Sequence, residues 1–361
     1  MKKSYLVFIV LIISMIINGG ILSAQEKYAV LICGEAPPDW TELVDLNSGW
    51  GAPGDSIQEE FWNDTYLMWE MLVTKFNYDA DNVYVLYYDG DDFNPVGQAD
   101  RYNSGLLPPH LKPITDMAAT RTSVISLFEG FANGENKLTQ DDFLFVWTFG
   151  HGGICGEEPP DRYPCVELIG DGFIWDFEFA DLMDDIDTEK KVFWMQQCGG
   201  GAFADDLENV SSVFHSASLA GEPAAASDNY PDVENEVINN KVYQHAEFNF
   251  HVYSSTNGQT PFFTTIYDGQ PLSDADLNSD NIISIYESWI WERDKESRDE
   301  TPVYSDLGSI GQQTSLLYPT LLSTDISAAS NITHRGLIGI SKDIHVPQGS
   351  QLTIHDNAVL H

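Results

Sequence analysis

Val192-Phe193-Trp194-Met195-Gln196-Gln197-Cys198-Gly199-Gly200-Gly201 decides how the rest of this chain is read. Four apolar residues in a row after Lys190-Lys191 predict a strand buried on both faces of a parallel sheet. Polar residues begin where such a strand emerges at its carboxyl edge, the edge at which open α/β sheets bind ligands. A cysteine stands there, followed by three glycines that permit sharp turns and close approach of another chain. A lone cysteine in this place reads as a buried core thiol. A partner changes that reading.

The partner follows a second strand of the same kind. Phe143-Leu144-Phe145-Val146-Trp147-Thr148-Phe149 runs into Gly150-His151-Gly152-Gly153. If the two strands are parallel neighbours, the histidine of one exit and the cysteine of the other meet at one rim. A thiol needs a base to become a thiolate, and a neighbouring imidazole supplies one. On its own His151 would be a surface loop histidine; paired with Cys198 it is a candidate general base.

Thr148-Phe149-Gly150-His151-Gly152-Gly153 and Met195-Gln196-Gln197-Cys198-Gly199-Gly200-Gly201-Ala202-Phe203 resemble two blocks of the caspase-like cysteine peptidases. These are the His-Gly block and the Gln-x-Cys-x-(Ser/Gly)-Gly block. The group includes caspases, legumain, gingipain and clostripain, and the pattern here is nearest to legumain-type and exported bacterial members. The resemblance covers about residues 28–320. It implies Cys198 as nucleophile, His151 as general base and acid, and an oxyanion hole built from the backbone N–H groups of Cys198 and Gly152. Gly200 departs from the serine that many relatives carry, which bears on loop geometry more than on the dyad. Catalysis by such a dyad needs no cofactor.

Composition bounds the alternatives. The 361 residues can hold one large α/β domain and a small appendage. Their 43% hydrophobic content excludes a mainly disordered chain. A net charge of −39 argues against nucleic acid or an anionic membrane surface as partner. Met1-Lys2-Lys3, the apolar run to Ile17 and the small residues before Gln25 read as a secretory signal peptide over residues 1–24. An uncleaved anchor is the alternative, but the run is short for a span of about 20 residues. No later segment approaches a transmembrane span. Export to a periplasmic, cell-surface or extracellular place opens an oxidising compartment for the four cysteines. Cys155 and Cys165, in the loop after His151, either staple that loop, for about 2–3 kcal/mol, or remain free thiols. Cys33 reads as a core thiol.

In chain order, residues 28–34 predict the first strand and 83–88 the next. Between them, Trp62, Tyr66, Trp69 and Val73 stand at helical spacing over 61–76. Thr122 is a candidate cap of a helix running to Phe131. Residues 176–187 predict an amphipathic helix, 210–218 a strand and 243–253 a helix. The acidic turn at 89–94 reads as solvated. This alternation predicts an α/β domain over residues 25–322, a mainly parallel sheet with helices on both faces. The resemblance implies the same three-layer, caspase-like sandwich.

Asp276-Leu277-Asn278-Ser279-Asp280-Asn281-Ile282-Ile283-Ser284-Ile285-Tyr286-Glu287 matches the twelve-residue EF-hand calcium loop. Asp276, Asn278, Asp280, Ser284 and Glu287 supply side-chain oxygens and Ile282 a backbone carbonyl. Asn281 replaces the usual glycine, and asparagine also visits the left-handed region. No good helix enters the loop, so it resembles the single, structural Ca²⁺ loops of some bacterial relatives. Residues 323–361 form a short β-rich tail and read as the start of a further module.

The chain thus reads as an exported cysteine endopeptidase acting on polypeptides. The alternative is a catalytically silent, calcium-stabilised binding or surface-adhesion protein. The negative surface attracts cationic peptides, which favours Arg or Lys before the cut bond and disfavours Asp.

Overall fold

The computed structural model describes residues 25–35, 56–58, 60–93, 113–156, 162–170, 172–225, 236–238, 241–261, 271–322 and four short strands between 331 and 360. The signal-peptide reading of residues 1–24 and the loop readings of 36–55 and most of 106–113 lie outside them.

Six strands form the central sheet: β1 (Lys27–Cys33), β2 (Val83–Tyr87), β3 (Phe143–Phe149), β4 (Lys190–Gln196), β5 (Ser212–Ser216) and β6 (Val303–Ser305). Their order is β2-β1-β3-β4-β5-β6. Five run parallel and β6 closes the edge antiparallel to β5. From β1 the chain crosses to β2 on one side and later to β3 on the other. The switch point therefore lies between the carboxyl ends of β1 and β3, the place where open α/β sheets bind ligands.

The continuous apolar runs are explained by what covers the sheet. Ala29, Leu31, Cys33, Phe145, Trp147 and Trp194 face one layer; Val30, Ile32, Leu144, Val146, Phe193 and Met195 face the other. That is the period-2 alternation of a strand with both faces buried. The first face is covered by α1 (Glu60–Glu70), whose Trp62, Tyr66 and Trp69 are all buried. The opposite face is covered by α2 (Arg121–Asn133) and α3 (Asp176–Asp184), through Phe128, Phe131, Phe179 and Met183. Helix α4 (Glu247–Asn257) joins α1 on the first face through Phe248 and Val252, and α5 (Ile285–Lys295) packs on α4. The result is a three-layer α/β sandwich.

Several boundaries moved. The α2 cap is Thr120, not Thr122: its extended backbone and its Oγ1, which accepts from Ser123 N at 3.1 Å, start the helix. The expected 243–253 helix begins at Glu247, because residues 241–243 pair as a strand instead. Helix α1 ends in a π-helical turn, Met71–Lys75, in which Val73 is half-buried and packs against the core. In the acidic turn Asp92 is structural, since its carboxylate accepts from Ile114 N and Thr115 N. Cys33 is a buried core thiol.

The tail pairs in parallel. Thr320 lies beside Ile338, Ile338 beside Leu360 and Asn331 beside Gln351, so the chain returns to the same line after about 20 residues. Three strands thus stack in one line, where the sequence alone suggested a single first rung.

Candidate active site

Register decides what stands at the rim. Phe149 of β3 lies opposite Gln196 of β4, so His151 and Cys198 each follow the last paired residue by two positions. Neighbouring parallel strands thus deliver the imidazole and the thiol at the same level, one strand from the switch point. Gln197 ties the two exits together. It is fully buried, and its Oε1 accepts from Thr148 Oγ1 at 2.7 Å.

The Cys198 loop is tightly held. Gly199 adopts φ 71° and opens a short 3₁₀ turn, Gly200–Phe203. Its N–H donates to Glu222 O at 2.7 Å and to Ser218 Oγ at 3.1 Å. A Cβ at Gly200 would lie 3.2 Å from Met195 O and 3.3 Å from Ser216 Cβ. This packing therefore leaves no easy room for a serine at position 200. The Cys198 thiol is partly exposed and accepts the N–H of Ala224 at 3.3 Å.

The His151 ring is 62% exposed, and its Nε2 lies 3.2 Å from Glu35 Oε2. Glu35 follows β1, so three adjacent strand ends contribute an acid, a base and a thiol to one edge. Sequence reasoning missed Glu35 because nothing in a Pro-, Gly- and Asp-rich stretch marks one carboxylate among many. Imidazole and thiol share no hydrogen bond with each other among the described residues. Dyads are often loose until substrate binds.

After His151 the chain forms a three-stranded antiparallel sheet, Gly152–Cys155, Tyr163–Leu168 and Gly172–Trp175. Cys155 and Cys165 are joined there as a disulfide, with Cα atoms 5.8 Å apart. His151 O accepts from Glu167 N at 3.1 Å. That makes Gly152–Val166 a wide, non-hydrogen-bonded pair, so the Gly152 N–H points out of the ladder. The N–H of Cys198 likewise has no partner among the described residues. Both amides expected to bind an oxyanion are thus available.

Gly152 itself has no room for a side chain. A Cβ there would sit 2.7 Å from Gln197 Cγ and 2.8 Å from Cys165 O. Gly152→Ala should push the two exits apart, costing about 1–3 kcal/mol as an overpacked site does. A denaturant melt checks this; wild-type stability would contradict it.

The 276–287 loop is wound around its acids. Asp276 accepts from Asp280 N (3.0 Å) and Asn281 N (2.8 Å), and Asp280 from Ile282 N (2.9 Å). Asn281 sits at φ 68°, the left-handed conformation expected of it. Glu287 accepts from Asn278 N, Ser284 N and Ser284 Oγ, and Ser284 caps α5 in a capping box. Among the described residues just before the loop, 271–275 form turns and no helix. Asp276, Asp280 and Glu287 do not converge to within 4.8 Å as a three-ligand group; elsewhere Glu247, His251 and Glu296 do.

A cavity of about 450 Å³ is lined by Lys75, Phe76, Asn257, Asp276, Ile282 and Leu317 among others. None of its lining residues belongs to the Cys198 edge.

No protein-family model matches this chain, and no curated protein matches it. Among solved structures, a Geobacter sulfurreducens protein determined as a structural-genomics target is similar over 78% of this chain and 92% of its own, with TM-score 0.42 and 13% identity. That likeness carries no weight for fold or chemistry, which rest on this chain's own residues. Among the described residues, no helix is long and apolar enough to cross a membrane.

Proposed function

We propose that this chain is an exported, caspase-like cysteine endopeptidase with Cys198 as nucleophile and His151 as general base and acid. One observation carries the reading: β3 and β4 are in register, so both residues leave the sheet at the same level. The Cys198 proton passes to the imidazole, and the thiolate attacks the carbonyl carbon of the substrate peptide. The oxyanion that forms is taken by the N–H groups of Gly152 and Cys198. As the C–N bond breaks, His151 returns the proton to the leaving amine. Water, deprotonated by the same imidazole, then hydrolyses the thioester. Glu35 is a positioning residue: its carboxylate, 3.2 Å from Nε2, orients the imidazole ring. The Cys155–Cys165 disulfide supports an oxidising, extracytoplasmic destination. An electrophilic peptide probe should label the wild type and not Cys198→Ala. Equal labelling of both would leave the alternative, a silent binding module.

Calcium in the 276–287 loop belongs to the same proposal, with a structural role. Ligand bound to the native state alone raises its stability. Chelation is therefore expected to lower the melting temperature by several degrees, and Glu287→Ala to remove the response along with the helix cap. Identical melting temperatures with and without calcium would reduce the loop to an acidic turn. The substrate is a polypeptide, with Arg or Lys before the cut bond favoured by the net charge of −39. A peptide library scanned at low and high salt tests it, and preference for Asp at high salt would dismiss the charge argument.

A further inference from the structure

We infer that the carboxylates and imidazole gathered between α4 and α5 form a binding site for a divalent first-row cation, of the Zn²⁺ or Mn²⁺ class. Each helix supplies two side chains one turn apart, Glu247 and His251 from α4, Glu292 and Glu296 from the end of α5, so each pair shares a face. Ser288 Oγ, 2.7 Å from Ser255 Oγ and 2.8 Å from Thr256 Oγ1, holds the two helices together. Ligand atoms of Glu247, His251 and Glu296 all lie within 4.8 Å of one another.

Further carboxylates close around them. Glu292 is fully buried and Glu300 nearly so, and the charges of Glu296 and Glu247 act on both. One oxygen of each is fixed by the protein: Glu292 Oε2 lies 3.4 Å from His215 Nε2, and Glu300 Oε2 accepts from Ala225 N at 2.6 Å. Among the described residues the second oxygen of Glu292, Oε1, has no hydrogen-bond partner and no lysine or arginine pairs with either residue, while Glu300 shares a side-chain hydrogen bond with Glu296. Burial pushes both carboxyls up, so each holds a proton unless a cation takes its place. The imidazole among the converging atoms decides the kind of cation. Calcium takes oxygen ligands, whereas a mixed carboxylate–imidazole set suits Zn²⁺, Fe²⁺ or Mn²⁺. The outward bond from His215 to Glu292 is the kind of support that orients a ligating carboxylate.

The test uses the full chain, stripped with EDTA and dialysed. Addition of ZnCl₂ or MnCl₂ should raise the melting temperature by several degrees, and elemental analysis after gel filtration should return one equivalent of metal per chain. Glu296→Gln, half-buried and isosteric, should fold with an unchanged far-UV spectrum and bind at least tenfold more weakly. Glu129→Gln, exposed on α2, should bind as the wild type does. No retained metal with no thermal response, or wild-type affinity kept in Glu296→Gln, would overturn the inference. No hydrolysis assay enters, so the outcome is independent of the peptidase reading.

Discussion

Cys198→Ala is expected to abolish peptide hydrolysis, a loss of at least about 10³-fold, with the fold unchanged. The thiol is partly exposed and accepts one backbone N–H, from Ala224, so its removal opens no core cavity. His151→Ala should cost a comparable factor, because the base is useless without the nucleophile and the nucleophile without the base. With its ring 62% exposed, His151 contributes little packing, and its replacement should stay within about 0.5 kcal/mol of wild-type stability. The double variant should lose no more than either single one. A calorimetric melt beside progress curves on a peptide substrate measures both quantities. Full activity in either single variant would sink the dyad.

The largest stability effect is expected at Asp64, on α1 and far from the thiol in sequence. Its Oδ1 lies 2.7 Å from His245 Nδ1, while Oδ2 accepts from Ala246 N and Asn249 Nδ2, both at 3.0 Å. Ala246 is the N-cap of α4, so a carboxylate from one helix closes the start of another. His245 is fully buried between Asp64 and Glu236; burial alone would lower its pKa, but the hydrogen bonds to the two carboxylates outweigh it and lift the imidazole to about 9. Asp64→Ala removes one partner of a buried, charged group, which costs about 3–5 kcal/mol. Asn249 Oδ1 in turn accepts from Trp147 Nε1 at 3.0 Å, on the strand that carries His151. Catalysis should therefore fail at a lower temperature in this variant, yet keep its wild-type rate in the cold. A loss below about 1 kcal/mol on chemical denaturation would show that the network is not a keystone.

The architecture was legible because its strands are apolar on both faces. Phe143–Phe149 and Lys190–Gln196 sit in the sheet as expected, since a double-sided strand leaves no ambiguity of register between core and solvent. Helix ends were less legible: Thr120 and Thr122 are equally good caps in isolation, and packing of Val124 and Phe128 chooses between them. At the rim, residues within three positions of a strand end could be placed from sequence. Partners brought by distant loops could not. Glu35, the Ala224 amide and the Thr148–Gln197 hydrogen bond became visible only in three dimensions. The Glu247/His251/Glu296 group went unseen for a related reason, because its two halves lie some forty residues apart in sequence. Each half alone reads as one charged face of a helix.

A parallel sheet has two ends of opposite character, and here they are chemically independent addresses. The thiol stands where the strands leave. The 450 Å³ cavity stands where they enter: Lys27, at the start of β1, hydrogen-bonds to Phe76 O and Leu317 O, both from residues in its wall. Seven residues of strand separate the two ends, about 20 Å. A small molecule lodged in the cavity cannot touch a peptide lying across Cys198. On the proposed peptidase reading, such a compound could carry a dye or an affinity handle without obstructing the thiol, whereas an inhibitor would have to be built against the opposite rim.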